Sequence, residues 1–257
     1  MRTAGDSTEP AVYRGEHGVL YATSSLGLPG IRAGSVQTLI TSPPAWEPGA
    51  GGFGGEGSLE AYLGKLRAHA EGWRRALALD GLAWVVTETT VRKGRWVDVP
   101  GRTLQALEEI GFVARQVVVW HYPGRPARTQ SGITRSHKRI LGLTPTAEHM
   151  PRLAWPSPDE VWAIPRPQAG EARYSPLPLA LVEQLLRLCP DHRGLVLDPF
   201  AGSGTVPGAC ERSGRPWVAF EVDHAQVRLA AGRLSLKREA SRNPGHEGRP
   251  TPAAQGT

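Results

Sequence analysis

Two short motifs, each at the end of an apolar run, hold the residue types that could do chemistry in this chain. Ser42, Pro43 and Pro44 follow the β-rich run 36–41. The Ser42 hydroxyl and the Pro43 carbonyl can accept hydrogen bonds, and the prolines stiffen the turn without adding an N–H that would compete. This first motif is suited to gripping an exocyclic amine, although an ordinary Ser-Pro-Pro turn would look the same in isolation.

The second motif, residues 198–205, has the features of a nucleoside-cofactor site. Gly202 and Gly204 let the backbone approach a ligand closely, and the helix that follows presents free N–H groups. Glu221 ends the next predicted strand, where an acid can accept hydrogen bonds from both ribose hydroxyls. A nicotinamide-dependent oxidoreductase remains an alternative, although Gly208 breaks the full dinucleotide spacing and no P-loop lysine follows. The alternative interpretation is a glycine turn that only packs a helix against its strand.

The elements that must position these motifs alternate between strands and helices. Strands are predicted over 11–13, 36–41, 82–87, 113–122, 195–198 and 217–221, and helices over 103–110, 177–188, 203–213, 224–234 and onward from the N-cap Ser58. This alternation predicts an α/β fold with a doubly wound, mostly parallel sheet, and residues 140–143 are expected to pair back as an antiparallel hairpin. Both motifs then lie at carboxyl ends of strands, where such sheets bind ligands.

The domain organisation follows from composition. Residues 1–10 are expected to be loose, 11–235 to form one domain with an inserted segment at about 121–170, and the polar tail 236–257 to be disordered. Residues 45–57 contain six glycines and one proline, which predicts a mobile loop. We expect its part 51–57 to close over a bound base as a lid.

The bulk numbers limit the possible partners. A net charge of +6 favours a polyanion, although an Arg-rich genome would give the same bias. The sequence has no 20-residue apolar run and a polar N-terminus, so we expect no membrane span, no secretory signal and a cytoplasmic location. Cys189, Cys210 and the eight histidines show no metal-ligand spacing, so no metal is expected.

The second motif, followed by a strand that ends Phe220-Glu221-Val222-Asp223, resembles the S-adenosyl-L-methionine site of amino-methyltransferases that act on DNA. The similarity spans roughly residues 11–235. It implies a Rossmann-like methyltransferase in which the glycine loop holds the cofactor and the acid after the second strand holds its ribose. The implied cofactor-binding residues are Asp198, Phe200, Gly202, Ser203, Gly204, Thr205 and Glu221.

The order of the motifs resembles the permuted beta group of this family, in which the amine motif comes first and the cofactor motif last. Ser-Pro-Pro is typical of its cytosine-N4 enzymes, whereas Asp-Pro-Pro would favour adenine-N6. The resemblance therefore implies methyl transfer to the N4 amine of cytosine in double-stranded DNA, with adenine-N6 as the alternative. A cognate restriction endonuclease is a candidate partner, because such enzymes can be the protective half of a restriction–modification pair.

The implied catalytic residues are Ser42, Pro43, Pro44 and Trp46. The amine of a base is a poor nucleophile because its lone pair delocalises into the ring, and acceptors such as Ser42 Oγ would free that pair. The base must leave the duplex stack to reach the pocket. The family usually has an aromatic residue after the second proline, whereas here Ala45 is followed by Trp46. If Trp46 does not turn in, binding loses the ~1–3 kcal/mol of base stacking, and an inactive DNA-binding relative becomes the alternative.

The stretch 121–140 contains cations and no acid, and it is the expected DNA contact. Its cations are Arg125, Arg128, Arg135, Lys138 and Arg139. Arginine and lysine suit phosphate oxygens and guanine edges. A solvated basic loop is the alternative interpretation.

Overall fold

The computed structural model describes residues 11–123, 135–149, 159–167, 176–189, 191 and 193–239. Several sequence predictions fall outside these residues. They are the loose N-terminus 1–10, the DNA contacts Arg125 and Arg128, and the tail from residue 240 onward.

The elements of the described part alternate much as the sequence predicts. The strands are β1 (Val12–Arg14), β2 (Gly18–Tyr21), β3 (Val36–Thr41), β4 (Leu77–Thr87), β5 (Thr90–Arg92), β6 (Arg95–Val97), β7 (Val113–His121), β8 (His137–Thr144), β9 (Val161–Ala163), β10 (Leu195–Asp198), β11 (Trp217–Phe220) and β12 (Lys237–Arg238). The helices are α1 (Leu59–Ala76), α2 (Val99–Glu109), α3 (Leu179–Leu188), α4 (Thr205–Ser213) and α5 (His224–Arg233).

Ten of these strands form one sheet in the order β12-β1-β2-β11-β10-β3-β4-β8-β7-β9. The central run from β2 to β4 is parallel, and β7 and β8 pair antiparallel as a hairpin. The predicted fold class, a doubly wound and mostly parallel sheet with an antiparallel hairpin, is confirmed. The order also makes β3 and β10, which carry the two motifs, direct neighbours.

The sheet lies between two layers of helices, because its central strands are apolar on both faces. All four residues of β11 are buried, and so are five of the six residues of β3. On one face α1 and α2 pack on the core around Trp73 and Phe220, and on the other α3, α4 and α5 pack around Trp84 and Trp217. Among the described residues, no helix combines the length and the apolar character that crossing a bilayer requires.

Several element bounds differ from the sequence prediction. β4 begins at Leu77 and runs through Asp80-Gly81, where a turn was expected. α2 begins at Val99, four residues early, because Asp98 caps it and Pro100 is tolerated in the first helical turn. The short strands β2, β5 and β6 were not predicted.

The predicted tail also begins too early. β12 pairs antiparallel with β1, and the Glu239 N–H donates to the Val12 carbonyl at 2.9 Å. Leu236 packs against the core, so burial of one apolar side chain and pairing with an open strand edge keep this segment in the fold. The folded part therefore extends through Glu239.

Candidate active site

A crevice of about 580 Å³ opens at the carboxyl ends of the central strands and collects residues from both motifs. The predicted site residues that line it are Ser42, Pro43, Pro44, Lys138, Asp198, Phe200, Gly202, Ser203, Thr205 and Glu221. The predicted residues of the described chain that do not line it are Trp46, Arg135, Arg139 and Gly204. The topology thus brings an amine-binding turn and a cofactor turn to one opening.

The two motifs are bonded to each other through Asp198. The Thr41 hydroxyl donates to Asp198 Oδ1 at 3.0 Å, and the Phe200 N–H donates to the same oxygen at 3.1 Å. Burial raises the pKa of Asp198 to about 7, partly offset by these two hydrogen bonds. Asp198 therefore ties the end of β10 to the end of β3 and fixes the distance between the motifs.

The Ser-Pro-Pro turn is held from two sides. The Ser42 hydroxyl donates to the Val86 carbonyl on β4 at 3.3 Å, and the Tyr62 hydroxyl donates to the Pro44 carbonyl at 3.1 Å. Because a hydroxyl has one proton, Ser42 keeps only acceptor lone pairs for a ligand. Burial raises the pKa of Tyr62, which keeps its donor in place. Sequence reasoning missed Tyr62, because its spacing on α1 indicates only a core position.

Trp46 does not take the predicted stacking position. Its indole N–H donates to the Glu56 carbonyl at 3.0 Å, and its ring packs against the core on the α1 side. Turning into the crevice would break that hydrogen bond and expose the ring, so the prediction for Trp46 is wrong in this structure. The exposed Ala45 lines the crevice at the position where the family has an aromatic residue.

The glycine-rich loop folds back on itself and delivers an aromatic ring that sequence reasoning missed. The Glu47 N–H donates to the Gly54 carbonyl at 2.7 Å. Phe53 lies against Phe200 with ring centroids 5.3 Å apart and stacks on His69 at an interplanar angle of 8°. A lone aromatic residue inside a glycine run was the only available signal. Closure of this loop as a lid stays a prediction.

The cofactor turn depends on two left-handed glycines and one acid. Gly202 and Gly204 have φ angles of +53° and +82°, a region that other residues rarely adopt. Glu221 accepts hydrogen bonds from the Gly202 and Asp223 N–H groups, both at 2.8 Å, one on each carboxylate oxygen. Each oxygen retains a lone pair for a ribose hydroxyl. Burial raises the pKa of Glu221.

Two residues of the cofactor turn have roles that the sequence did not indicate. Gly204 starts α4 and faces α5, where an added Cβ would lie 3.0 Å from the Ala230 Cβ, so it serves helix packing. Arg233 on α5 donates to the Ser203 carbonyl at 2.8 Å and to its hydroxyl at 2.9 Å. The turn is therefore braced from behind by α5.

The predicted DNA-binding cations of the described chain take different positions. Lys138 is 7 % exposed, lines the crevice and lies 3.4 Å from the Glu88 carboxylate. Arg139 pairs with Asp98 at 3.2 Å, and Arg135 donates to the Thr89 carbonyl. Their role in DNA binding stays a prediction, but Lys138 belongs to the floor of the site and not to a surface loop.

The residues of the crevice fit S-adenosyl-L-methionine. The sugar hydroxyls require paired acceptors, which Glu221 offers, and the adenine ring requires an apolar wall, which Phe53 and Phe200 offer. The amino end of α4 lies beside them with free N–H groups. Paired acceptors, an apolar wall and free N–H groups together suit a nucleoside ligand.

A second cavity of about 720 Å³ lies behind α4 and shares only Thr205 with the predicted site. Glu16, His17 and Glu211 lie close enough together nearby to hold a cation. However, Glu211 already accepts hydrogen bonds from the His17 N–H and from the Trp217 indole. This cluster is therefore explained by structural contacts.

Comparison with known proteins identifies the family. A model of the DNA methylase family of N6- and N4-amino methyltransferases matches residues 36–232. The chain belongs to this family. The predicted resemblance, to beta-group amino-methyltransferases, is confirmed. This methylase uses S-adenosyl-L-methionine as methyl donor and acts on an exocyclic amine of a DNA base.

The curated relatives are methyltransferases of type II systems. M.Cfr9I of Citrobacter freundii is 26 % identical over 249 residues, covering 79 % of this chain and 82 % of the relative. M.XycI of Xanthomonas campestris pv. cyanopsidis is 26 % identical over 274 residues, covering 88 % and 90 %. The methylase thus matches nearly the whole length of these relatives.

Solved structures show the same fold. The PvuII DNA methyltransferase (cytosine-N4-specific) superposes with a TM-score of 0.74 at 21 % identity, covering 85 % of this chain and 86 % of that one. A DNA modification methylase of Thermus thermophilus, solved with S-adenosyl-L-methionine, gives 0.66 at 25 % identity, covering 84 % and 92 %. The Rossmann-like methyltransferase architecture is therefore that of known DNA methyltransferases.

Proposed function

We propose that this methylase transfers the methyl group to the N4 amine of cytosine in double-stranded DNA. The observation that carries the transfer to a base amine is the state of the Ser42 hydroxyl, whose only O–H donates to the Val86 carbonyl; the choice of cytosine over adenine rests on Lys138. Ser42 therefore meets a base amine as a neutral acceptor. A neutral acceptor can hold the amine N–H and free the nitrogen lone pair.

The strand register supplies a space for a flat base. β4 lies between β3 and β8, with Val85 opposite Thr41 and Thr87 opposite Arg139. Ser42 and Lys138, the next residues on the outer strands, therefore flank the end of β4 from opposite sides. The backbones of the outer strands are two strand spacings apart, about 9.5 Å, which leaves room for a planar ring between their side chains.

The Lys138 ammonium favours cytosine over adenine. A lysine side chain is a donor only, and this one is buried beside Glu88 on the floor of the crevice. Next to its amine, cytosine presents two acceptors, N3 and O2. Adenine presents N1 and then a C–H. When the base amine is bonded to Ser42, the Lys138 ammonium on the far side of the pocket can donate to O2 of cytosine. Adenine has a C–H at the corresponding position.

The chain's own residues position the reaction in the following way. Ser42 Oγ and the Pro43 carbonyl accept hydrogen bonds from the two N–H groups of the amine, which turns the nitrogen lone pair toward the cofactor side of the crevice. The bound cofactor supplies the electrophilic methyl group. Glu221 would hold the cofactor's ribose and Phe200 its adenine ring, which places the methyl group beside the amine, so much of the rate comes from orientation.

Because position 45 is an alanine and not an aromatic residue, the base is bound less tightly. Without stacking there, the KM for DNA is expected to be high for the family, with kcat maintained by the intact turn. Phe53 lies on the cofactor side, against Phe200, and does not replace the missing ring. Activity then depends on the polar contacts of Ser42 and Lys138.

The experiment is nucleoside analysis of DNA incubated with the enzyme and labelled S-adenosyl-L-methionine. Wild-type protein should yield N4-methylcytosine, Ser42→Ala should lose at least tenfold in kcat, and both should bind the cofactor equally. Lys138→Gln should raise the KM for DNA. Methyladenine without N4-methylcytosine would overturn the choice of base.

We also propose that the methylase protects DNA against a cognate restriction endonuclease, as the type II relatives suggest. The segment at about 121–170, of which residues 121–123, 135–149 and 159–167 are described, is proposed to read the target sequence. A plasmid methylated in cells should resist one restriction specificity. Cleavage by every enzyme whose site contains the modified base would contradict this proposal.

A further inference from the structure

The hairpin of β5 and β6, residues 90–97, has no part in the chemistry described so far. It forms a separate two-stranded sheet that pairs with nothing else in the described chain. Glu88 before it and Val99 after it both line the crevice. The hairpin therefore stands at the rim of the base pocket.

The hairpin carries an unfavourable arrangement of charge. Arg92 and Arg95 lie directly opposite each other across the ladder, and Lys93 lies in the turn between them. All three are exposed, and within the described chain none forms an ion pair with a carboxylate. Like charges directly opposite each other destabilise an antiparallel pair. The arrangement is thus costly to the hairpin itself and suits an anionic partner.

The turn is also strained. Lys93 has φ +48° and Gly94 has φ +73°, as in the two-residue turns that favour Asn or Gly at the first position. A lysine in this region brings its Cβ close to the following carbonyl oxygen, which is unfavourable. A cation kept at a strained tip points to a binding role, because a local outlier of this kind is commonly maintained for function.

The opposite face of the hairpin presents an exposed aromatic ring. Trp96 lies across from Val91 and is 59 % exposed. A two-stranded ribbon is one of the two shapes that the major groove of DNA admits, and it contacts both groove walls. Cations on one face and an indole on the other match a charged backbone and the apolar surface of bases.

We propose that this hairpin is a DNA-contacting finger that enters the groove of the duplex beside the target base. Arg92, Lys93 and Arg95 bind backbone phosphates, and Trp96 packs against the groove wall. The inference rests on the proposed action on duplex DNA. It assigns a contact outside the segment 121–170, where the sequence predicts target recognition.

The test is the salt dependence of binding to a fluorescent 30-base-pair duplex, with an unreactive cofactor analogue present. Each phosphate contact contributes about 0.9 to the slope of log K against log salt, so Arg92→Gln/Arg95→Gln should lower it by about 1.8. The affinity at about 0.1 M salt should fall at least tenfold. The matched control is Arg32→Gln/Arg193→Gln. It removes two exposed charges that precede β3 and β10, at the amino ends of these strands and away from the crevice. Equal losses in both double variants would overturn the proposal.

Lys93→Asn separates binding from folding. Asparagine suits the positive φ, so the unfolding midpoint should stay the same or rise while the salt slope falls by about 0.9. A lower midpoint with unchanged DNA affinity would overturn the proposal.

Methyl transfer by the same proteins tells the two proposals apart. If wild type makes N4-methylcytosine and Arg92→Gln/Arg95→Gln keeps its DNA affinity, the finger alone fails. If the double variant loses affinity and wild type modifies no cytosine, the proposed reaction alone fails.

Discussion

At the scale of single residues, the site depends on polar groups that are partly used by hydrogen bonds within the protein. The lone pairs that those bonds leave unused are available to the ligand. The Ser42 hydroxyl donates a hydrogen bond to the Val86 carbonyl and keeps its own lone pairs free. Each Glu221 carboxylate oxygen accepts one backbone hydrogen bond and keeps a further lone pair. The sequence predicted Ser42 from the Ser-Pro-Pro motif and Glu221 from its place at the end of the strand after the glycine turn. It predicted Trp46 wrongly and missed Tyr62, because their hydrogen-bond partners, the carbonyls of Glu56 and Pro44, are set by the path of the glycine-rich loop, which the sequence pattern does not specify.

Glu221→Gln should weaken cofactor binding about tenfold to hundredfold. Hydrogen bonds to a charged group contribute about 1.5–3 kcal/mol, and the new amide would also point an N–H at the Gly202 or Asp223 N–H. Calorimetric titration with S-adenosyl-L-methionine measures this loss. Glu71→Gln, an exposed acid on α1, is the control and should bind as wild type does. Unchanged affinity in Glu221→Gln would remove Glu221 from the cofactor site.

Asp198 should make stability depend on pH. Its pKa is about 7 in the fold and about 3.9 in the unfolded chain, so the native state holds the proton more tightly. Its contribution is full below pH 4 and is lost as pH rises through 7. In urea titrations wild type should lose more stability than Asp198→Asn between pH 5 and 8. A larger loss in the variant would contradict this assignment. Glu221, whose pKa is raised in the same direction, is present in both proteins and cancels.

At the scale of elements, the strands that carry the motifs are the parts that the sequence predicts best. β3, β10 and β11 are short, apolar and followed by turn residues, and their bounds agree with the prediction to within one residue. The β5–β6 hairpin was missed because its turn has Lys93, and not the usual Asn, Asp or Gly, before Gly94. The start of β4 was missed because Leu77 already pairs with Val36 ahead of the expected turn, and Asp80-Gly81 falls in a shift of register between β4 and β3.

A hydrogen bond from helix α1 holds the Ser-Pro-Pro turn in place. Tyr62→Phe removes the donor to the Pro44 carbonyl and should cost about 1 kcal/mol of stability. We expect kcat to fall severalfold while cofactor affinity stays the same. Tyr13→Phe, on β1 at the far side of the sheet, should change neither kcat nor affinity. Equal kcat in the two variants would show that Tyr62 does not position the turn.

At the scale of the whole molecule, the fold joins two motifs that are 157 residues apart between Thr41 and Asp198. The sequence predicted a shared crevice because parallel strands present their carboxyl ends to one side. The net charge of +6 agrees with a DNA substrate. What the sequence did not indicate is how the charge is placed, with Lys138 inside the crevice and a basic hairpin at its rim.

The measurement that tests the central claim most directly is modification mapping of genomic DNA from methylation-free cells that express wild type or Ser42→Ala. We predict N4-methylcytosine at one recurring sequence with wild type and its loss with Ser42→Ala at equal protein levels. Methyladenine at that sequence, or full N4-methylcytosine in the Ser42→Ala cells, would contradict the account.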